Sequence, residues 1–360
     1  MHVLGYRKDD NQTRNPDYLQ LHKKLTVVEG HSDLMIDIHR RHQRGERAVF
    51  LNKYADQLKK GGVNVIILST GGDSGAQNAG SDDPLWVTLR RIESVYQENA
   101  ESREVVRLCT SIRDMEEALA AHKIAMFMMI EGARPLRDDI AMVDLYYRLG
   151  IRSIQLTWNG RNLVGDGCGE RETGGRLTRF GKAVVKEMNR MGMLIDVSHA
   201  SESTFYSVME TSDSPVIVSH ANSRALCDHV RNLTDEQIKM IAEKDGVIGI
   251  CFFPSFIDLQ KPSLGKLLDH IDHIANLVGT DNMSLGPDFI DYALDIFVPK
   301  LKGAGEGTNY GSEFSFPDEI RDVTCLPNLT RGLLGRGYSE EDIGKILGKN
   351  LIRVYKQVIG

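Results

Sequence analysis

The sequence predicts a (β/α)8 TIM-type barrel with loop insertions and C-terminal helices. Three observations carry this. Short apolar runs alternate with longer amphipathic stretches along the 360 residues, the pattern of parallel strands joined by helical crossovers. Eight such runs can be placed, over a length somewhat above the roughly 250 residues usual for this fold. Two of them, Met193–His199 and Pro215–His220, stop at the same Ser-His-Ala, so two imidazoles fall at strand C-terminal ends, the face where such barrels do chemistry. A doubly wound open sheet is the alternative, but Gly71-Gly72-Asp73-Ser74-Gly75 is neither G-x-G-x-x-G nor a P-loop.

Each element has a local reason. The polar residues 1–24 read as an N-terminal extension. Leu25–Asp33 is the first strand, and Gly45–Lys60 is a helix stopped by Gly61-Gly62. Val63–Thr70 is the second strand; the Gly-rich loop Gly71–Gly80 and helical segments through Ala121 follow. Ile124–Gly132 is the third strand, Leu136–Leu149 a helix ended by Gly150, and Ile151–Thr157 the fourth strand. Trp158–Gly175 is polar and Gly-rich, a loop over the active face. Arg176–Met191 is an amphipathic helix leading into the fifth strand, Met193–His199. Ser201–Thr211 is helical, and Pro215–His220 is the sixth strand. Thr234–Lys244 opens on an N-cap and acidic first turn. Val247–Phe253 and Met283–Phe289 are the seventh and eighth strands, separated by the helix Leu264–Val278. After the irregular stretch Asp291–Phe316, two helices close the chain within 317–360, the second opening on the capping-box pattern Ser339-Glu-Glu-Asp342. The whole of 1–360 reads as one barrel domain.

Composition narrows the function. A hydrophobic share of 41% with 26% charged residues suits a soluble globular protein with a large core. A net charge of −6 without a basic block disfavours nucleic acid. The first residues contain no apolar leader, and the most apolar window, Ile124–Ile130, is too short to span a bilayer. Five scattered cysteines without a C-x-x-C pair point to reduced thiols and a cytoplasmic setting. His39 and His42, in the charged run IHRRHQR, are expected to be exposed.

Placed on the strand map, the polar residues gather at one rim. Strand one ends in His31 and Asp33, strand three in Glu131, strands five and six in His199 and His220, strand eight in Asp288. Singly each has a bland reading: His31 and Asp33 a turn-forming pair, Asp288 a loop cap. Jointly they form a donor set suited to Zn²⁺ or another divalent ion. Two ions are expected, one on His31 and Asp33, the other on His199 and His220, with Glu131 between them. Two metals about 3.5–4 Å apart share a hydroxide and polarise a carbonyl.

The ordered motifs Gly30-His-Ser-Asp-Leu34, Ile130-Glu-Gly132, Tyr147-Arg-Leu-Gly-Ile-Arg152, Leu177-Thr-Arg-Phe-Gly181 and Glu187–His199 resemble those of the membrane dipeptidase (renal dipeptidase, peptidase M19) family of the amidohydrolase superfamily. So do Val218-Ser-His220, His229-Val-Arg-Asn232, Gly286-Pro-Asp-Phe289, Leu326-Pro-Asn-Leu329 and Asp342–Asn350 with Arg353. The resemblance runs from Val27 to the C-terminus. It implies a zinc-dependent dipeptidase, including action on L-Xaa-D-Xaa pairs, with two Zn²⁺ per subunit held by His31, Asp33, Glu131, His199 and His220. It implies Asp288 as the base that takes a proton from the water and passes it to the leaving amine, Arg231 as the binder of the substrate carboxylate, and a homodimer. Trp158 stands where many members carry a His thought to polarise the scissile carbonyl, so it is assigned to substrate binding. That change keeps a second reading open, a binuclear hydrolase of another small amide or lactone. A third, a barrel that binds metal without catalysis, is opposed by the complete donor set.

Overall fold

The computed structural model describes residues 18–73, 83–295 and 316–360. Among them nine strands form one sheet: β1 (Val27–Ser32), β2 (Val63–Gly72), β3 (Val106–Leu108), β4 (Ile124–Glu131), β5 (Ile151–Gln155), β6 (Leu194–Asp196), β7 (Val216–Ala221), β8 (Val247–Ile250) and β9 (Met283–Leu285). Eight of them run in the order β1-β2-β4-β5-β6-β7-β8-β9, and every pairing is parallel. This is a nearly closed (β/α)8 barrel. Each apolar run of the sequence becomes a barrel strand because helices outside and side chains inside bury both of its faces; β7 is buried at all six positions.

The seam between β1 and β9 depends on a missing side chain. A Cβ on Gly30 would lie 2.2 Å from the Leu285 carbonyl oxygen, so only glycine lets the two strands approach this closely.

The lower interior is apolar. Val28, Val65, Ile67, Phe127, Leu194, Ile217 and Val247 meet Leu351, Val354 and Tyr355 of the C-terminal helix Asn350–Ile359. The Phe127 and Tyr355 rings contact edge to face at 5.1 Å. The last helix therefore plugs one end of the barrel and leaves the strand C-terminal ends for the polar residues.

Differences from the sequence reading are local. β3 is an extra strand that pairs only with β4, alongside its first three residues, while β5 takes the rest of the same edge. At three residues it is too short to carry a periodic signal. The helix expected from Gly45 begins at Phe50, after Ala48 adopts φ 46°. The helix expected over Leu136–Leu149 is a single 3₁₀ turn, Arg134–Leu136, followed by Ala141–Arg148. The eighth strand stops at Leu285 rather than Phe289. Of the Gly-rich loop, Gly71, Gly72 and Asp73 are described and the rest lies outside the described residues, as does most of Asp291–Phe316.

His39 and His42 are not exposed. Both are half-buried against the helix Pro84–Glu101, with His39 Nδ1 2.9 Å from Ser94 Oγ and His42 Nε2 2.6 Å from Glu98 Oε1. The charged run hid this because the partners come from a helix more than fifty residues away. Glu98 also accepts from the amides of Val49 and Phe50 and from Ser102 Oγ, so this cluster fastens the turn before Phe50 to the helix Pro84–Glu101. No helix among the described residues is long and apolar enough to cross a membrane.

Candidate metal centre

Five strand ends bring the expected side chains to one point. His31 lies in β1 and Asp33 just beyond it, Glu131 ends β4, and His220 lies in β7. His199 follows β6 by three residues and Asp288 follows β9 by three. Glu131 Oε1 stands 3.3 Å from His199 Nε2, 3.8 Å from His31 Nε2 and 3.9 Å from His220 Nε2. Asp288 Oδ1 lies 3.9 Å from His31 Nε2. Ligand atoms of His31, Asp33 and Asp288, and those of His31, Glu131 and His220, each fall within 4.8 Å of one another.

The backbone is bent to achieve this. His199 and Asp288 sit at φ 63° and 58°, in the left-handed region that L-residues enter at a cost of order 1–3 kcal/mol. The strain is held by neighbours. The His199 carbonyl accepts from the Cys168 amide at 2.7 Å, and the Asn159 side-chain oxygen lies 2.6 Å from His199 Nδ1. Ser219 Oγ stands 2.8 Å from His220 Nδ1. Both rings are thus fixed through Nδ1 with Nε2 turned inward, the arrangement that orients imidazole ligands. The two Nε2 atoms are 3.0 Å apart.

The electrostatics fit cation binding. Burial, with the Arg231 charge, pushes the His31 imidazole down to about 3. Burial likewise holds His199 and His220 well below the usual histidine range. The rings are neutral, as ligation requires. The carboxylates move the other way. Burial pushes Asp33 up to about 6, against a Ser69 hydrogen bond and the Arg91 charge. Burial and then the Asp33 charge push Glu131 and Asp288 well up. Both ring nitrogens of His31 are buried without a hydrogen-bond partner, and an unsatisfied buried polar group is costly. Neutral imidazoles and mutually repelling carboxylates, with nitrogen and oxygen donors turned to one point, fit one or more divalent ions of the zinc class.

Arg231 is buried beside this cluster. Its guanidinium donates to the His220 carbonyl at 3.2 Å and lies 5.1 Å over the Phe256 ring, while Nε has no partner. Trp158 is half-buried and stacks on His199, with ring centroids 5.6 Å apart at 29°.

Sequence reasoning missed four supporting residues. Asn159 orients His199. Asp196 accepts from the Ser198 and Ser219 amides at 2.9 and 3.1 Å and ties the ends of β6 and β7 together. Arg91 is fully buried in the helix Pro84–Glu101, and its charge acts on Asp33 and Glu131. Asp73 binds three amide groups at the end of β2. Asp196 closes β6 inside the Glu187–His199 motif without being singled out there, Asn159 and Asp73 stand just after strand ends, and Arg91 carried no signal in the sequence.

Comparison with known proteins agrees with the geometry. The family model "Membrane dipeptidase (Peptidase family M19)" matches residues 17–359. A Klebsiella pneumoniae protein described as "Uncharacterized protein in pqqA 5'region" is 33% identical over 287 residues, 77% of this chain and 97% of its own length. Dipeptidase aclJ of Aspergillus oryzae is 33% identical over 240 residues, 66% of this chain; the match spans 52%, about half, of that longer protein. The crystal structure of an amidohydrolase from Pseudomonas aeruginosa superposes with a TM-score of 0.79 at 28% identity, over 95% of this chain and 99% of that one.

Proposed function

This chain belongs to the membrane dipeptidase family, peptidase family M19, a family of metal-dependent peptide-bond hydrolases, and on that premise we propose that it hydrolyses dipeptides, L-Xaa-D-Xaa pairs included, with two zinc ions. The observation that carries the reading is the convergence of His31, Asp33, Glu131, His199, His220 and Asp288 on one buried point at the strand C-terminal ends.

His31 and Asp33 would hold one ion, His199 and His220 the other, with the Glu131 carboxylate shared. Bound divalent ions supply Lewis acidity at the substrate carbonyl and a nucleophilic water at neutral pH. The remaining work falls to side chains. The Asp288 carboxylate takes a proton from the attacking water and delivers it to the leaving nitrogen; its strained backbone aims it into the cluster. Arg231, buried with Nε unpartnered, pairs with the C-terminal carboxylate of the substrate through parallel hydrogen bonds. The Trp158 indole walls the site beside His199. It offers one N–H and no charge, so it binds the substrate rather than polarising its carbonyl strongly.

The test compares a dipeptide with its C-terminal amide and with a small lactone, all on zinc-loaded protein. Cleavage of the free dipeptide, with a large loss on amidation, supports the reading. Turnover of the lactone alone would replace it with a hydrolase of another bond.

A further inference from the structure

We propose that Asp73 is a positioning residue whose two carboxylate oxygens separately set the two sides of the metal centre. Asp73 follows β2 and is buried. Its amide donates to the carbonyl of Glu131 at 2.9 Å, and its Oδ1 accepts from the Arg134 amide at 2.7 Å. That arm clamps the turn leaving Glu131. The fit there is tight: a Cβ on Gly132, which sits at φ +102°, would lie 2.3 Å from Asp73 Cγ.

The other oxygen faces a different loop. Oδ2 accepts from the Trp158 amide at 3.2 Å and from Asn162 Nδ2 at 2.7 Å. Asn162 in turn donates to the Leu156 carbonyl at 2.8 Å and accepts from the Val164 amide at 2.7 Å. This arm fixes the first turn after β5, which carries Trp158, stacked on His199, and Asn159, hydrogen-bonded to it. One carboxylate thus joins the turn of a shared ligand to the wall and orienting group of a second ligand. A carboxylate suits this place because all its lone pairs accept, and every group it faces is a donor.

Asp73→Asn separates the arms. The amide keeps one oxygen for the Arg134 N–H and turns its NH₂ against the Trp158 N–H and the Asn162 NH₂, donor against donor. The chain has two tryptophans, and Trp86 is 57% exposed, so a Trp86→Phe background leaves Trp158 as the reporter. There Asp73→Asn is expected to shift Trp158 emission to the red. It is expected to weaken one class of Zn²⁺ site about 10-fold in chelator competition, and to raise KM more than it lowers kcat. Asp73→Ala releases both arms and weakens both classes of site. A merely structural role would lower Tm while leaving emission, Zn²⁺ affinity and KM of the folded molecules unchanged, and that result overturns the proposal. If Asp73→Asn does not fold, Asn162→Ala, at a half-buried position, removes the Asn162 side-chain bonds of the same arm, to Asp73, Leu156, Val164 and Gly165, and leaves Oδ1 of Asp73 on the Arg134 amide. It should shift emission in the same direction, and unchanged emission there overturns the proposal too. Only the KM readout rests on the dipeptidase reading. A wild type without dipeptide turnover would sink that reading alone, because emission and Zn²⁺ affinity still decide the role of Asp73.

Discussion

Replacing Asn159 by alanine should weaken one metal site and leave the other intact. The Asn159 side chain is fully buried, and its oxygen sits 2.6 Å from His199 Nδ1. Truncation leaves a buried Nδ1–H without its acceptor, at a cost of about 1–3 kcal/mol. Loss of a partner that orients a ligating imidazole lowers metal affinity by about 10–100-fold, equivalent to roughly 1.4–2.7 kcal/mol. The two routes agree on the size. Asn159 orients the ring of His199, a ligand of the other ion, so the His31 and Asp33 side keeps its affinity. Competition between Asn159→Ala and a chelator of known Zn²⁺ affinity should therefore give two phases, one at the wild-type position and one displaced at least tenfold. Asn159→Asp retains an acceptor and should restore the second phase. Two phases at wild-type positions in the alanine variant, within about twofold, would refute the reasoning. They would mean that the strained His199 backbone orients the ring without help.

Three further outcomes follow from particular contacts. Arg231→Met should raise KM for free dipeptides by a factor on the order of 30–150, about 2–3 kcal/mol for a charge-assisted pair, and barely change KM for dipeptide amides; steady-state kinetics on both decide it. Gly30→Ala puts a Cβ 2.2 Å from the Leu285 carbonyl oxygen and should cost about 2–4 kcal/mol in denaturant unfolding, whereas a near-neutral result would mean that the barrel seam is loose. Burial pushes the Asp37 carboxyl up, but hydrogen bonds from Lys53, Tyr54 and Arg41 outweigh this and hold it below its ordinary 3.8. A carboxyl held low in the folded state stabilises above its unfolded pKa and loses that contribution as pH falls through the folded value. The deficit of Asp37→Asn, about 2–3 kcal/mol, should therefore be constant above about pH 5 and shrink below pH 4, as read by urea melts across pH.

Most of the fold was legible because parallel barrel strands are buried on both faces and appear as apolar runs between Gly, Pro and amphipathic stretches. The helix Arg179–Met191 shows how local chemistry sets boundaries: Thr178 Oγ1 accepts from the Gly181 amide, and Gly192 ends it at φ 66°. The expected capping box at Ser339 is half formed, since its hydroxyl oxygen accepts from the Asp342 amide while its O–H donates to the Asp342 carboxylate. The rim residues His31, Glu131 and His220 were legible because a polar group closing an apolar run needs a partner. Asn159, Asp73 and Arg91 were not legible. Each acts on a residue 40 or more positions away, through contacts that exist only once the strands are side by side. His39 and His42 failed as expectations for the same reason, their partners lying on the helix Pro84–Glu101.

The most direct test of the central claim is to strip the protein of metal and titrate Zn²⁺ back while following hydrolysis of a dipeptide library that includes L-D pairs, with Asp288→Asn alongside. The account predicts that turnover rises to saturation at two ions per chain, requires a free substrate carboxylate, and collapses in Asp288→Asn although that variant still binds metal. Two ions bound with no dipeptide cleaved, or full turnover in Asp288→Asn, would contradict it.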